Sequence, residues 1–188
     1  MSKKLYEMTL EELWKLFPIF LTEYNDKWSI WFEEEKNILC SIIPGNMIKR
    51  ISHIGSTAVR KIWAKPIVDI LIEIYSEYDF DTIKRILKDN LYICMAESDG
   101  RLSFNKGYTE KGFAEKVYHI HIRYEGDNDE LYFRDYINEN KDIAKEYEKL
   151  KLELWKKFEY NRDEYTERKS EFVEKHTRIA KDRYRGRY

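Results

Sequence analysis

The stretch Ile67-Val-Asp-Ile-Leu-Ile-Glu-Ile74 constrains the fold of this chain more than any other. It is apolar and β-branched almost throughout and starts straight after Pro66, so it reads as a strand buried on both faces. A carboxylate inside such a strand costs free energy unless it is paired or metal-bound. Asp69 is therefore a candidate catalytic residue and metal ligand. Upstream, Ile48-Lys-Arg-Ile-Ser-His-Ile54 alternates as a second strand that breaks at Gly55-Ser56. Strand, turn, helix and strand then run from His53 to Asp69, an order suited to holding phosphate. Glycine admits close approach of a ligand, a helix N-terminus offers free N–H groups, and Ser56 and Thr57 add hydroxyls. Lys65 brings a cation to the same stretch or, equally, lies on a solvated helix face. Arg60 and Lys61 fit either that anion or a solvated helix face.

The rest of the chain frames this core. Thr9-Leu-Glu-Glu12 is a capping box opening a short helix that stops at Pro18. A second helix follows Asn25 or Asp26 and ends before Pro44, with Trp28, Trp31, Phe32, Glu35, Ile38 and Leu39 at core spacing. Asp79 to Asn90 is a helix with Phe80, Ile83, Ile86 and Leu87 on one face. Leu91–Met95 and Arg101–Phe104 suggest strands joined by a turn at Asp99-Gly100, 106–112 a loop, and Val117–Tyr124 another strand. Beyond Gly126 the pattern is helical: 127–140, a second helix marked by Ile143 to Phe158, and a third capped by Asn161 with Glu164. The expected class is α+β, a mixed β-sheet flanked by helices with a helical C-terminal region. One domain spans 1–188, with N-terminal helices over 1–45, the sheet core over 46–125 and C-terminal helices over 126–188.

His119-Ile-His121 places two imidazoles on one face of the Val117–Tyr124 strand, about 7 Å apart. That face is expected to border the site approached by Asp69 and His53. The set suits proton transfer, phosphate donation or a transition metal, and equally a structural pair. Arg101 and Lys106 flank the 106–112 loop, which reads as a ligand-covering loop or a plain hairpin connection. His176 reads as a surface or packing residue.

Charge and composition narrow the partners. The chain has 188 residues, 37% of them charged, with a formal net charge of −1. That balance disfavours nucleic acid or an anionic membrane as the main partner, the basic Arg178–Arg185 tail reading as a solvated helix end. No apolar run approaches the ~20 residues of a membrane span, and the N-terminus turns acidic at once, without an apolar signal core. Cys40 and Cys94 lack metal or disulfide spacing and read as buried, reduced thiols, in keeping with a cytoplasmic location.

The segment HIGSTAVRKIWAKPIVDI at 53–70 resembles the signature of the GrpB (UPF0157-like) family, an uncharacterised group within the nucleotidyltransferase superfamily. The similarity continues through RLSFNKGYTEKGFAEKVYHIHIRY at 101–124, LYFRDYINENKDIAKEYEKLK at 131–151 and EYTERKSEFV at 164–173. The resemblance covers nearly the whole chain from about Tyr24. It implies a nucleotidyltransferase-like sheet, Gly55-Ser56 at a phosphate-facing helix, and Asp69 as the remaining acid of the superfamily's metal set. His119 and His121 match the family's H-x-H strand, Arg134 and Asp135 its F-R-D-Y helix start, and Tyr165 and Lys169 its last helix. Two positions depart from the pattern. The usual Asp-x-Asp or Asp-x-Glu reads Asp69-Ile-Leu71 here, and Glu73 lies ~13 Å further along the strand. Arg60-Lys61 stands where many members have Pro-Gly.

The sequence thus points to a nucleotidyltransferase-like protein that acts on or binds a nucleotide or another phosphorylated small molecule. Asp69, His119 and His121 are the expected catalytic residues, and His53, Gly55, Ser56, Thr57, Lys65, Arg101, Lys106 and Arg134 the expected ligand contacts. Asp69 is the expected ligand for one Mg²⁺ or Mn²⁺. The alternatives are a non-catalytic phosphate-binding module that has lost two-metal catalysis, and a His/Asp metal-dependent hydrolase.

Overall fold

The computed structural model describes residues 3–98 and 100–188. In chain order the elements are α1 (Leu10–Leu16), α2 (Lys27–Ile42), β1 (Ile48–Ile54), β2 (Val68–Ile74), α3 (Phe80–Asp89), β3 (Ile93–Ser98), β4 (Arg101–Thr109), β5 (Gly112–Tyr124), α4 (Asp129–Glu139), α5 (Lys141–Phe158) and α6 (Arg162–Arg183). The strands form one five-stranded sheet in the order β1-β2-β5-β4-β3. β2 and β5 pair in parallel at its centre, and every other neighbour is antiparallel. This is the mixed α+β sheet that the pattern predicts.

β2 is central because almost nothing on it needs water. Val68, Ile70, Ile72 and Ile74 point to one face and pack with Trp28, Phe32 and Leu39 of α2 and Ile83 and Leu87 of α3. Each fully buried isoleucine contributes on the order of 1.5–3 kcal/mol. Asp69, Leu71 and Glu73 point to the other face, where Leu71 packs against Ile54 and Leu131 of α4. The Thr9–Glu12 capping box forms as expected, with Thr9 N donating to Glu12 at 2.7 Å and Glu12 N to Thr9 Oγ1 at 3.3 Å.

Two buried carboxylates are satisfied in full. Glu73 is 0% exposed. It accepts from Arg50 at 2.5 and 3.1 Å, from Asn128 Nδ2 at 2.9 Å and from Gly126 N at 3.3 Å. Glu35 of α2, 2% exposed, accepts from Tyr92 OH at 2.5 Å and from Lys106 Nζ at 2.7 and 2.9 Å.

Several expectations are corrected. Residues 106–112 are not a loop: β4 and β5 run on to Thr109 and from Gly112 as a tight hairpin, closed by Thr109 Oγ1 donating to Gly112 O at 2.8 Å. β3 begins at Ile93 rather than Leu91, and Gly100 of the following turn has φ +71°, while Asp99 lies outside the described residues. Ile38 is 44% exposed rather than core. Cys40 is exposed and Cys94 half-buried, so neither is a core thiol. Of the two readings of His176 the packing one holds: it is buried, its ring 4.3 Å from Phe172. No helix among the described residues is long and apolar enough to cross a membrane.

Removing Lys106 leaves Glu35 with Tyr92 alone in a dry environment. Lys106→Ala is therefore expected to destabilise the fold by about 3 kcal/mol, read as a lower urea midpoint. An unchanged midpoint would show that the pair does not support the α2–sheet packing.

Candidate functional site

The sheet face opposite α2 and α3 carries the polar cluster. Parallel pairing sets Asp69 of β2 beside His119 of β5, and β4 then sets Asn105 beside His119 and Ser103 beside His121. His119 Nδ1 donates to Asp69 Oδ1 at 3.0 Å, and His121 Nε2 stands 3.6 Å from the same oxygen. Burial favours the neutral acid, but the His119 hydrogen bond and the nearby His121 imidazole outweigh it and hold the Asp69 carboxyl far below the usual carboxylate range. An ionised Asp69 only accepts, so His119 Nδ1 carries the proton. Burial pushes the His119 imidazolium down, Asp69 opposing, and its Nε2 is left to accept from Tyr108 OH at 2.8 Å. The Tyr108 phenol is pushed up by burial, with Arg162 opposing, so it remains a donor. Asp69, His119 and Tyr108 thus form one chain of hydrogen bonds with defined direction.

Gly55 makes room for this carboxylate. Its φ is +70°, and a Cβ there would lie 2.2 Å from Asp69 Oδ2. The glycine in the Gly55-Ser56 turn is explained by Asp69, without a bound anion. The turn also departs from the expected helix start: Ser56–Ala58 is a single 3₁₀ turn, with no α-helix N-terminus. Thr57 is buried, donates to Ile67 O at 3.1 Å and meets His53 Nε2 at 2.9 Å, tying the end of β1 to the start of β2. Ser56 Oγ faces Tyr147 OH at 3.4 Å.

The other expected contacts divide between site and scaffold. His53 pairs with Ile70, not Asp69, and so lies on the opposite face, stacked on Phe32 at 5.0 Å. Burial lowers its imidazole to about 4, Asp69 partly opposing and Arg134 adding. Arg134 is held by His53 O, Tyr188 OH and Asp135 at 2.8–2.9 Å. Arg101 pairs bidentately with Asp127 at 2.8 Å, and Lys106 faces Glu35 on the α2 side. These three cations are structural pins. Lys65 sets its Nζ 5.1 Å from the Phe113 ring, in a small pocket beside the groove; burial, then Arg162, lower its ammonium to about 7, with Asp69 opposing and Lys169 adding.

Tyr108, Asn105 and Arg162 are the site residues that sequence reasoning misses. A β-bulge between Lys106 and Tyr108 re-aims the strand. Gly107 sits there at φ +89°, where a Cβ would lie 2.3 Å from Lys116 O. A lone glycine inside a strand pattern is the available signal. Arg162 opens α6 and lines, with His119, His121, Asn105 and Tyr108, a groove of about 1170 Å³.

The expected metal lacks a donor set. No group of three or more His, Cys, Asp or Glu among the described residues is arranged to hold an ion. Asp69 offers one carboxylate whose Oδ1 already takes an imidazole proton, Leu71 is apolar, and Glu73 is committed to Arg50. Octahedral Mg²⁺ or Mn²⁺ needs more oxygen ligands than this, and with His53 behind the sheet the transition-metal set is broken too. No step is therefore routed through a metal.

Fold and site together define an α+β protein whose mixed sheet carries an aspartate–histidine cluster at its parallel centre. The chain belongs to the GrpB protein family, whose sequence profile matches residues 18–178. It is similar to the glutamate-rich protein GrpB of Alkalihalophilus pseudofirmus, 35% identical over 162 residues covering 83% of this chain and 92% of that one. The UPF0157 protein YqkA of Bacillus subtilis is 34% identical over 167 residues, 87% of this chain and 48% of its own length. The chain thus spans about half of that relative. The crystal structure of conserved protein GrpB from Enterococcus faecalis matches with a TM-score of 0.75 at 32% identity, covering 88% of this chain and 99% of that one.

Gly55→Ala is expected to cost at least ~2 kcal/mol through its positive φ and the clash with Asp69, read as a lower thermal midpoint. Stability is also expected to fall on acidification. His53 titrates near 4 when folded and near 6.5 when unfolded, so the unfolded chain binds more protons between those values. Its contribution is complete above pH 6.5 and lost as pH falls through 4. A His53→Gln variant whose midpoint tracks pH as steeply as the parent would refute this assignment.

Proposed function

We propose that this protein binds and acts on a phosphorylated small molecule, nucleotides included, at the Asp69–His119–His121 face, with Arg162 as the anion holder and Lys65 nearby. The observation that carries the reading is one half-buried, ionised carboxylate organising two imidazoles at a groove that Arg162 lines. The anion would lie against Arg162, whose charge favours it, with Lys65 nearby to take up a proton as it binds. Asp69 fixes the His119 tautomer, His119 holds Tyr108, and His121 is the group placed to accept a proton from an attacking hydroxyl or water. The resemblance to the GrpB family, taken as a group within the nucleotidyltransferase superfamily, supports the phosphate half of this reading.

A second reading is a binding module without turnover. It is favoured by Leu71, which packs with Ile54 and Leu131 where a second acidic ligand would be needed.

Calorimetry with inorganic phosphate and with ATP or CTP, with and without Mg²⁺, followed by product analysis, tests both. Binding weakened at least tenfold by Arg162→Met is expected, and turnover abolished by Asp69→Asn separates enzyme from module. Absence of any phosphate-dependent heat up to millimolar ligand would end both readings. A linked effect is expected as well. The Lys65 amine is largely neutral at pH 8, so an anion settling beside it draws a proton on. Buffers of different ionisation enthalpy should report proton uptake near pH 8, and Lys65→Met should remove it.

A further inference from the structure

The groove at the cluster is not polar along its length. Across one sheet face the cross-strand rows read Asp69, His119, Asn105, Ile93 and then Leu71, His121, Ser103, Ala96. The surface therefore passes from charged at β2 to apolar at the β3 edge. α1 and the segment before it form the opposite wall with Leu10, Leu13 and Trp14. Ile93 is 43% exposed and Met95 54% exposed in this groove. Apolar side chains facing each other across an open groove mark a place for an apolar ligand part.

The boundary between the two halves holds an independent sign of a ligand. Asn105 is 4% exposed, yet its Nδ2 has no hydrogen-bond partner among the described residues. A buried amide donor left unpaired costs on the order of the group's desolvation. Asn105 lines the groove beside His119, where the amide can donate to a bound acceptor.

We propose that the groove selects an amphipathic phosphate ester, its anionic head at Arg162 and His121, its ester or neighbouring oxygen accepting from Asn105 Nδ2, and its apolar body lying over Ile93 and Met95 beneath Trp14. This inference rests on the phosphate reading of the same site and adds the chemistry of the rest of the molecule. A nucleotide sets a polar ribose against these side chains and is disfavoured relative to an alkyl or aryl phosphate. Asn105 orients the ligand in this scheme and takes part in no proton transfer.

The test is calorimetric titration of the full chain with inorganic phosphate, butyl, hexyl and octyl phosphate below micelle-forming concentrations, 1-octanol and AMP. Each methylene buried in the groove is expected to tighten binding by up to about fourfold, so octyl phosphate should exceed inorganic phosphate and AMP by well over tenfold. Met95→Ser, on an exposed edge-strand position, removes apolar surface without adding charge and should flatten the chain-length series. Asn105→Leu should keep or raise the thermal midpoint, because it removes an unpaired buried donor, yet weaken octyl phosphate about tenfold. Inorganic phosphate binding that depends on Arg162 but gains nothing with chain length would overturn this inference and leave the phosphate reading standing. Octanol binding as tightly as octyl phosphate would overturn it as well, since head and body would not be read together. Failure of every probe would remove both.

Discussion

The site depends on one half-buried carboxylate. Asp69 sits in a strand where its neighbours face dry packing, and its ionisation is sustained by the imidazole protons of His119 and His121. Everything nearby answers to that charge. Gly55 yields the space for Oδ2, Thr57 fixes the turn beneath it, and His119 acquires a single tautomer that passes direction on to Tyr108. Replacing any of these groups alters the Asp69 environment before it alters a ligand contact. For that reason the HIGST segment is better understood as the mounting of the carboxylate than as a phosphate cradle.

Much of the architecture is legible in the sequence, because it follows from periodicity. The alternation of 48–54, the apolar run 67–74 and the His119–His121 spacing give three neighbouring strands, β1, β2 and β5, and the shared face of the two imidazoles. What periodicity does not give is relative phase. His53 and Asp69 belong to antiparallel neighbours, and the turn length between them decides whether they share a face. The register pairs His53 with Ile70, one residue away from the assignment that alternation alone suggests. The same limit hides the partners of charged residues. Lys106 and Glu35 are 71 positions apart, and nothing local to Lys106 announces a buried carboxylate on α2.

The residues missed by sequence reasoning are those placed by irregularity or by distance. Tyr108 reaches the cluster because a glycine bulge rotates the end of β4, and Asn105 is unremarkable until its cross-strand neighbour is known to be His119. Arg162 comes from the start of a helix that is remote in sequence from both strands. Conversely, the cations that sequence proximity recommends, Arg101, Lys106 and Arg134, are occupied by acids, carbonyl groups or hydroxyls. A charged side chain near a motif is weak evidence of a ligand while its own counter-charge is unknown.

The parallel pairing of β2 with β5 has a consequence for how the molecule comes into being. Asp69 and His119 are 50 residues apart, and parallel neighbours cannot be joined by a tight turn. The hairpin β4–β5 can form early from local contacts, but the central pair must wait for a long stretch of chain to be closed, at an entropic cost. The carboxylate and its imidazoles therefore meet only after the sheet has acquired its middle. A cleavage between α3 and β3 would leave the carboxylate on one fragment and both imidazoles on the other, so the cluster belongs to the assembled sheet alone.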